Sequence, residues 1–152
     1  MLQECARFRL RNRHAAMMGV TELFDRFSSR PGATAEQIES AERALRVSFP
    51  DEFREFVTVR NGGEGLVGQT YVMLWDISEL GRMSRAYDPD VWAPGLLLFG
   101  TDGGNEGFGF DTREPGMPIV QIPLVGMCWG EARPLGDTFN GFLENVRTGN
   151  LL

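Results

Sequence analysis

The chain has no lysine: all fifteen of its basic residues are arginine. That excludes a phosphate-binding loop ending in Lys followed by Ser or Thr, and it excludes Schiff-base chemistry, which needs the lysine amine. Histidine is nearly absent too. His14 is the sole one, so from Met17 onward the chain lacks the side chain most used for general base work and zinc ligation, and no Ser/His/Asp or Cys/His nucleophile set can form there. The two cysteines, Cys5 and Cys128, have no neighbour at CxxC spacing and are read as free thiols. No stretch approaches the roughly 18 consecutive apolar residues of a membrane span, and the basic N-terminus lacks the apolar segment of a secretory signal. A soluble, cytoplasmic protein without cofactor is the expectation.

What the chain does contain is enough apolar residue for one core: 152 residues, of which 42% are hydrophobic and eleven are phenylalanine. Its charge is unevenly divided. Residues 1 to 16 hold Arg7, Arg9, Arg11 and Arg13 against Glu4, leaving eleven arginines against twenty acids from Met17 onward, a net of −9. Such a field repels nucleic acid and anionic membrane and attracts a basic protein. Residues 1 to 16 form a basic arm with two readings, a tail for nucleic acid or membrane, or upstream sequence ahead of a start at Met17 or Met18; residues 17 to 152 form the domain.

Val20, Leu23, Phe24 and Phe27 repeat at helical spacing, and Arg30, Pro31 and Gly32 are expected to end that helix. Thr34 opens "TAEQ", a capping box, and Ile38, Ala41, Ala44 and Leu45 carry a second helix. Pro50, Asp51 and Glu52 suit the first turn of a third, with Phe53, Phe56 and Val57 on one face, stopped by Asn61, Gly62 and Gly63 as a loop. The period then changes. "QTYVMLW" reads as a strand, "DISELGRM" as a short helix capped by Asp76 or Ser78, and "YDPDVWAPG" as a loop. "LLLFG", "GFGFDT" and "PIVQIPL", punctuated by turns, read as an antiparallel meander; "MCWGEARPLG" adds an irregular edge strand because of Pro134. Phe139, Phe142, Leu143 and Val146 make a closing helix between Asp137 and Gly149. Helices, then strands, then a helix predict an α+β domain with N-terminal helices, an antiparallel sheet and a C-terminal helix.

The one stretch that invites chemistry is "FGTDGGNEGFGFD", residues 99 to 111. It lacks the lysine of a phosphate loop; a dinucleotide fingerprint fails at Thr112, and a calcium loop counted from Asp102 ends at Arg113 where glutamate is required. Asp102, Glu106 and Asp111 leave open a weaker metal or carboxylate site, set against a plain hairpin turn, for which Gly, Asn and Asp are the ordinary residues. Trp92, in a proline-bearing loop, is the tryptophan expected to be exposed, as a protein-interface anchor or as simple loop packing.

"LRVSFPDEFREFVTVRNGGEG", followed in order by "YVMLWDISEL", "LLLFGTDGGNEGFGFDT" and "DTFNGFLENV", resembles the SMI1/KNR4 family of the SUKH superfamily over roughly residues 20 to 147. The resemblance implies an α+β domain without established catalysis. Bacterial members of that family include immunity proteins that bind and neutralise toxin domains of polymorphic or contact-dependent systems, often nucleases; fungal members are regulators of cell-wall synthesis that also work by binding proteins. On this resemblance the chain is expected to be a non-catalytic immunity protein for a basic cognate toxin. The contact face is expected to include the Asn61, Gly62, Gly63, Glu64 loop, Trp92, and the turn from Asp102 to Glu106. A regulatory scaffold, or a metal-dependent carboxylate enzyme at Asp102, Glu106 and Asp111, are the alternatives.

Overall fold

A computed structural model describes residues 23–149. Its strands form one seven-stranded antiparallel sheet in which spatial order follows chain order: β1 (Arg26–Pro31), β2 (Arg60–Val67), β3 (Thr70–Leu74), β4 (Leu96–Thr101), β5 (Glu106–Asp111), β6 (Ile119–Pro123) and β7 (Arg133–Gly136). Helices α1 (Ala35–Leu45) and α2 (Asp51–Val59) fill the connection from β1 to β2, and α3 (Leu80–Arg85) and α4 (Pro89–Trp92) that from β3 to β4. Helix α5 (Phe139–Thr148) closes the fold. The expected α+β class and the meander are what the chain adopts.

Local chemistry accounts for most of these elements. The capping box forms as read: the Gln37 amide donates to the Thr34 hydroxyl at 3.1 Å and the Thr34 amide to the Gln37 side chain at 2.8 Å. Pro50 precedes α2, and Asp51 and Glu52 occupy its first turn, where the helix dipole favours anions. Two caps differ by a residue or more from the sequence reading. Thr138 caps α5 in place of Asp137, accepting from the Gly141 amide, while Glu79 precedes α3 and Asp76 instead folds the turn before it, accepting from the Ser78 amide at 2.8 Å. "YDPDVWAPG" is not all loop, since Pro89 starts the single turn of α4.

Two larger expectations fail for one reason. Arg26–Pro31 is a strand, not the end of a helix, and Asn61, Gly62 and Gly63 lie inside β2 instead of in a loop. The two strands need each other. Phe27 pairs with Gly65 and Ser29 with Gly63, and a Cβ at either glycine would stand 2.3 Å from a β1 carbonyl oxygen, that of Arg26 or Ser28. Only glycine permits that approach, at φ of +144° and +142°, so a tertiary pairing overrides the helical spacing of Phe24 and Phe27. Of the rest of the expected first helix, Leu23 is helical and Phe24 lies in a turn, while Val20 lies outside the described residues.

The core is built from phenylalanine. The ten phenylalanines among the described residues are all buried, and Phe53 on α2 touches Phe49, Phe99, Phe110 and Phe139 at centroid distances of 5.1 to 5.9 Å, mostly edge-to-face. This cluster joins α1, α2 and α5 to one face of the sheet through Phe27, Val72, Leu74, Leu97, Phe99, Phe108, Phe110 and Ile119. A second, smaller cluster covers the opposite face of β4 to β6, where Leu96, Leu98, Val120 and Ile122 meet Ala93 and Met127. The alternation of "GFGF" becomes intelligible here. Phe108 and Phe110 fill the large core, while Gly107 and Gly109 leave the other face free for the leucines: a Cβ would come within 2.7 Å of Leu124 at one and 2.8 Å of Leu96 at the other. Strand β4 is therefore buried along its whole length. Because β3 pairs with it only at Met73 and Leu74, the Leu98 amide turns instead to the Ser84 hydroxyl at 3.1 Å.

Candidate interaction face

The second cluster stops short of β1, β2 and β3. Cross-strand register puts Arg26, Leu66 and Tyr71 in one row of that face, and Ser28, Glu64, Met73 and Thr101 in the next. Of these only Thr101 is buried, so among the described residues this third of the sheet face is open. Beside the turn that follows β3 lies a groove of about 250 Å³, lined by Met73, Leu74 and Trp75 and by Ser28, Ser29, Arg30, Glu64, Asp76 and Glu79.

The side of the groove is fixed by Asn61. This residue is 5% exposed; its amide nitrogen donates to Asp76 Oδ2 at 2.9 Å and its amide oxygen accepts from the Ile77 backbone at 2.9 Å. It thus ties β2 to the turn that carries Asp76 and Glu79. Gly62 sits beneath that tie, where a Cβ would be 2.6 Å from the Leu74 carbonyl oxygen. Glu64 stands in the open and accepts the Tyr71 hydroxyl at 2.6 Å. That hydrogen bond, more than burial, raises the Tyr71 pKa above its ordinary value, so the phenol stays protonated.

The turn from β4 to β5 folds over the same tyrosine. A Cβ on Gly103, at φ +82°, would touch the Tyr71 ring at 3.2 Å and Met73 Sδ at 3.8 Å, so the glycine lies flat against both. Asp102 is turned inward: its Oδ1 accepts from the Gly104 amide at 2.7 Å and the Glu106 amide at 3.2 Å. "TDGGNE" is a hairpin turn. Asn105 joins it to the loop after β6, accepting from the Leu124 and Val125 amides through its carbonyl and side-chain oxygens at 2.7 and 3.0 Å.

Of the residues read from the sequence as a contact face, the structure brings together Glu64 and the Asp102 turn, with Tyr71 as the link. Asn61, Gly62 and Gly63 lie close by, but they build the face from within. Trp92, 60% exposed, sits before the start of β4, whereas Asp102 follows its end, a separation of roughly 20 Å at strand rise. Glu106 opens β5, and alternation from Phe108 places it on the helix-bearing side. Sequence reasoning missed Tyr71, Met73 and Ser28. The signal was available for the first two in "TYVML", whose alternate residues Val72 and Leu74 are core.

The metal alternative is not supported by geometry. Asp111 is at the far end of β5 from Glu106 and is held by Arg113, Nε to Oδ1 at 2.9 Å and Nη2 to Oδ2 at 3.1 Å. That guanidinium holds the Asp111 carboxyl below its ordinary pKa and lies 3.5 Å from the Trp129 ring centroid. Among the described residues, no group of three or more His, Cys, Asp or Glu side chains is placed to hold a metal ion. Nor, among them, is any helix long and apolar enough to cross a membrane.

A family model described as the SMI1 / KNR4 family (SUKH-1) matches residues 32–145. The chain belongs to the SMI1/KNR4 family. The matched span runs from just ahead of α1 into α5 and contains both the Asn61 tie and the hairpin over Tyr71. Comparison with curated proteins finds no match. The resemblance read from the Phe-Pro, Asn-Gly-Gly and Asp-Gly-Gly blocks is thereby established at the level of the family.

Proposed function

We propose that this SMI1/KNR4 domain is a non-catalytic immunity protein of the cytoplasm that binds and neutralises a basic toxin domain through the open face of β1, β2 and β3. The observation that carries the reading is that face: a sheet surface that no described residue covers, beside a core closed on both sides elsewhere, presenting Glu64, Asp76, Glu79 and a half-exposed Tyr71. Tyrosine anchors with charged surroundings suit protein recognition. The −9 balance from Met17 onward supports a partner of opposite sign, as a nuclease that grips phosphates would be, and steers such a partner at high rate. The groove is smaller than the roughly 300–1,000 Å³ of sites built for small ligands.

The test is co-expression. The toxin-like domain encoded beside this gene should arrest growth alone and be tolerated with this protein present, and the two should co-purify. Continued arrest, with the protein folded and abundant, would overturn the reading.

A further inference from the structure

The groove has a chemistry of its own. Its apolar lining is the side chain of Met73 with the half-buried Trp75, and its acids differ in how far they are committed. Asp76 is saturated: Asn61 and Ser78 donate to its two oxygens, and Arg30 stands 3.8 Å away. Glu64 spends one oxygen on Tyr71, and Glu79 has only a 3.4 Å contact from Arg82. Among the described residues each of those two therefore keeps an uncommitted oxygen at the groove. Arg30, 57% exposed, is the one cation among the lining residues, so the groove stays net negative.

We infer that this groove receives a single arginine side chain from the surface of a basic protein partner, its stem on Met73 and Trp75 and its guanidinium between Glu64 and Glu79. Long cationic side chains lay their methylenes on apolar surface while the head stays at a polar rim. A guanidinium also stacks on aromatic rings, as Arg113 does on Trp129 within this molecule. A volume of about 250 Å³, open on one side, accepts one such side chain but not a folded element. This rests on the proposed protein-binding role and names the chemistry of its central contact.

N-acetyl-arginine methylamide, titrated into isotopically labelled full-length protein, provides the test by amide resonances. Those of Glu64, Met73, Trp75 and Glu79 should move together and saturate. The citrulline analogue, equal in shape and uncharged, should leave them in place. The double variant E64Q/E79Q, in which glutamine can still accept from Tyr71, should stay folded and bind arginine roughly fivefold to tenfold more weakly, the loss of two exposed charge pairs. E36Q/E39Q on α1 should bind as the parent does. Equal binding of citrulline, equal loss in both double variants, or shifts scattered over the acidic surface would overturn the inference. The outcomes separate it from the broader reading: rescue by E64Q/E79Q as good as by the parent removes the arginine site and leaves the immunity role, whereas localised arginine binding without any rescue does the reverse.

Discussion

Asn61 shows most clearly how one side chain decides the site. Removing it strands the Ile77 amide and leaves Asp76 without its buried donor. Asn61→Ala should therefore cost about 1–3 kcal/mol in denaturant unfolding, and Asn61→Asp more at neutral pH, because it sets a second carboxylate against Asp76. Asp111 makes a prediction of another kind. Its pKa is depressed in the fold, first by the Arg113 side-chain bond, so the pair's stabilisation is fully present above the ordinary carboxylate range and is lost as pH falls through the lowered value. Asp111→Asn should be less stable than the parent at neutral pH, and the difference should shrink on acidification below about pH 4, which unfolding midpoints across pH will check. Arg113 is largely exposed, so the difference at neutral pH should be modest.

The elements depend on glycine where they meet. Strand β1 exists because Gly63 and Gly65 let its carbonyls approach β2. A methyl at Gly65 would face both a positive φ and a backbone oxygen, neither of which a rotamer change relieves. Gly65→Ala should destabilise by about 1–3 kcal/mol. Its signature should be local: amide exchange should quicken in β1 well before it does in β5 and β6, whose ladder is independent of that contact. The hairpin after β4 behaves differently. Asp102 satisfies its own turn, and its loss should loosen the covering over Tyr71 while leaving the sheet register intact.

Across the whole molecule, the sheet is covered unequally. Helices α1, α2 and α5 close one face and a smaller layer closes the β4 to β6 part of the other, while among the described residues the β1 to β3 part stays open. The acidic charge spread over the domain acts on encounter more than on the final contact. Association with the proposed basic partner should slow steeply as salt rises past about 0.1 M, where the Debye length nears 10 Å, while dissociation changes little. Stopped-flow or surface-binding rates at several ionic strengths give the slope, and a salt-independent association rate would contradict electrostatic recognition.

The helices α1, α2 and α5, the meander from β4 to β6, the acidic balance and the family were all legible in the chain, because each rests on local signals: period, caps, turn residues and composition. Strand β1 and the strand character of "NGGEG" were not, since their cause is a contact between residues about 40 apart that only glycine allows. The same limit applied to the site. Sequence supplied Glu64 and the Asp-Gly-Gly turn, but which acids share a face depends on strand register, and register is set by packing across the sheet. Tertiary structure alone decided that Asn61 faces inward, that Trp92 stands apart, and that Tyr71 lies on the open face.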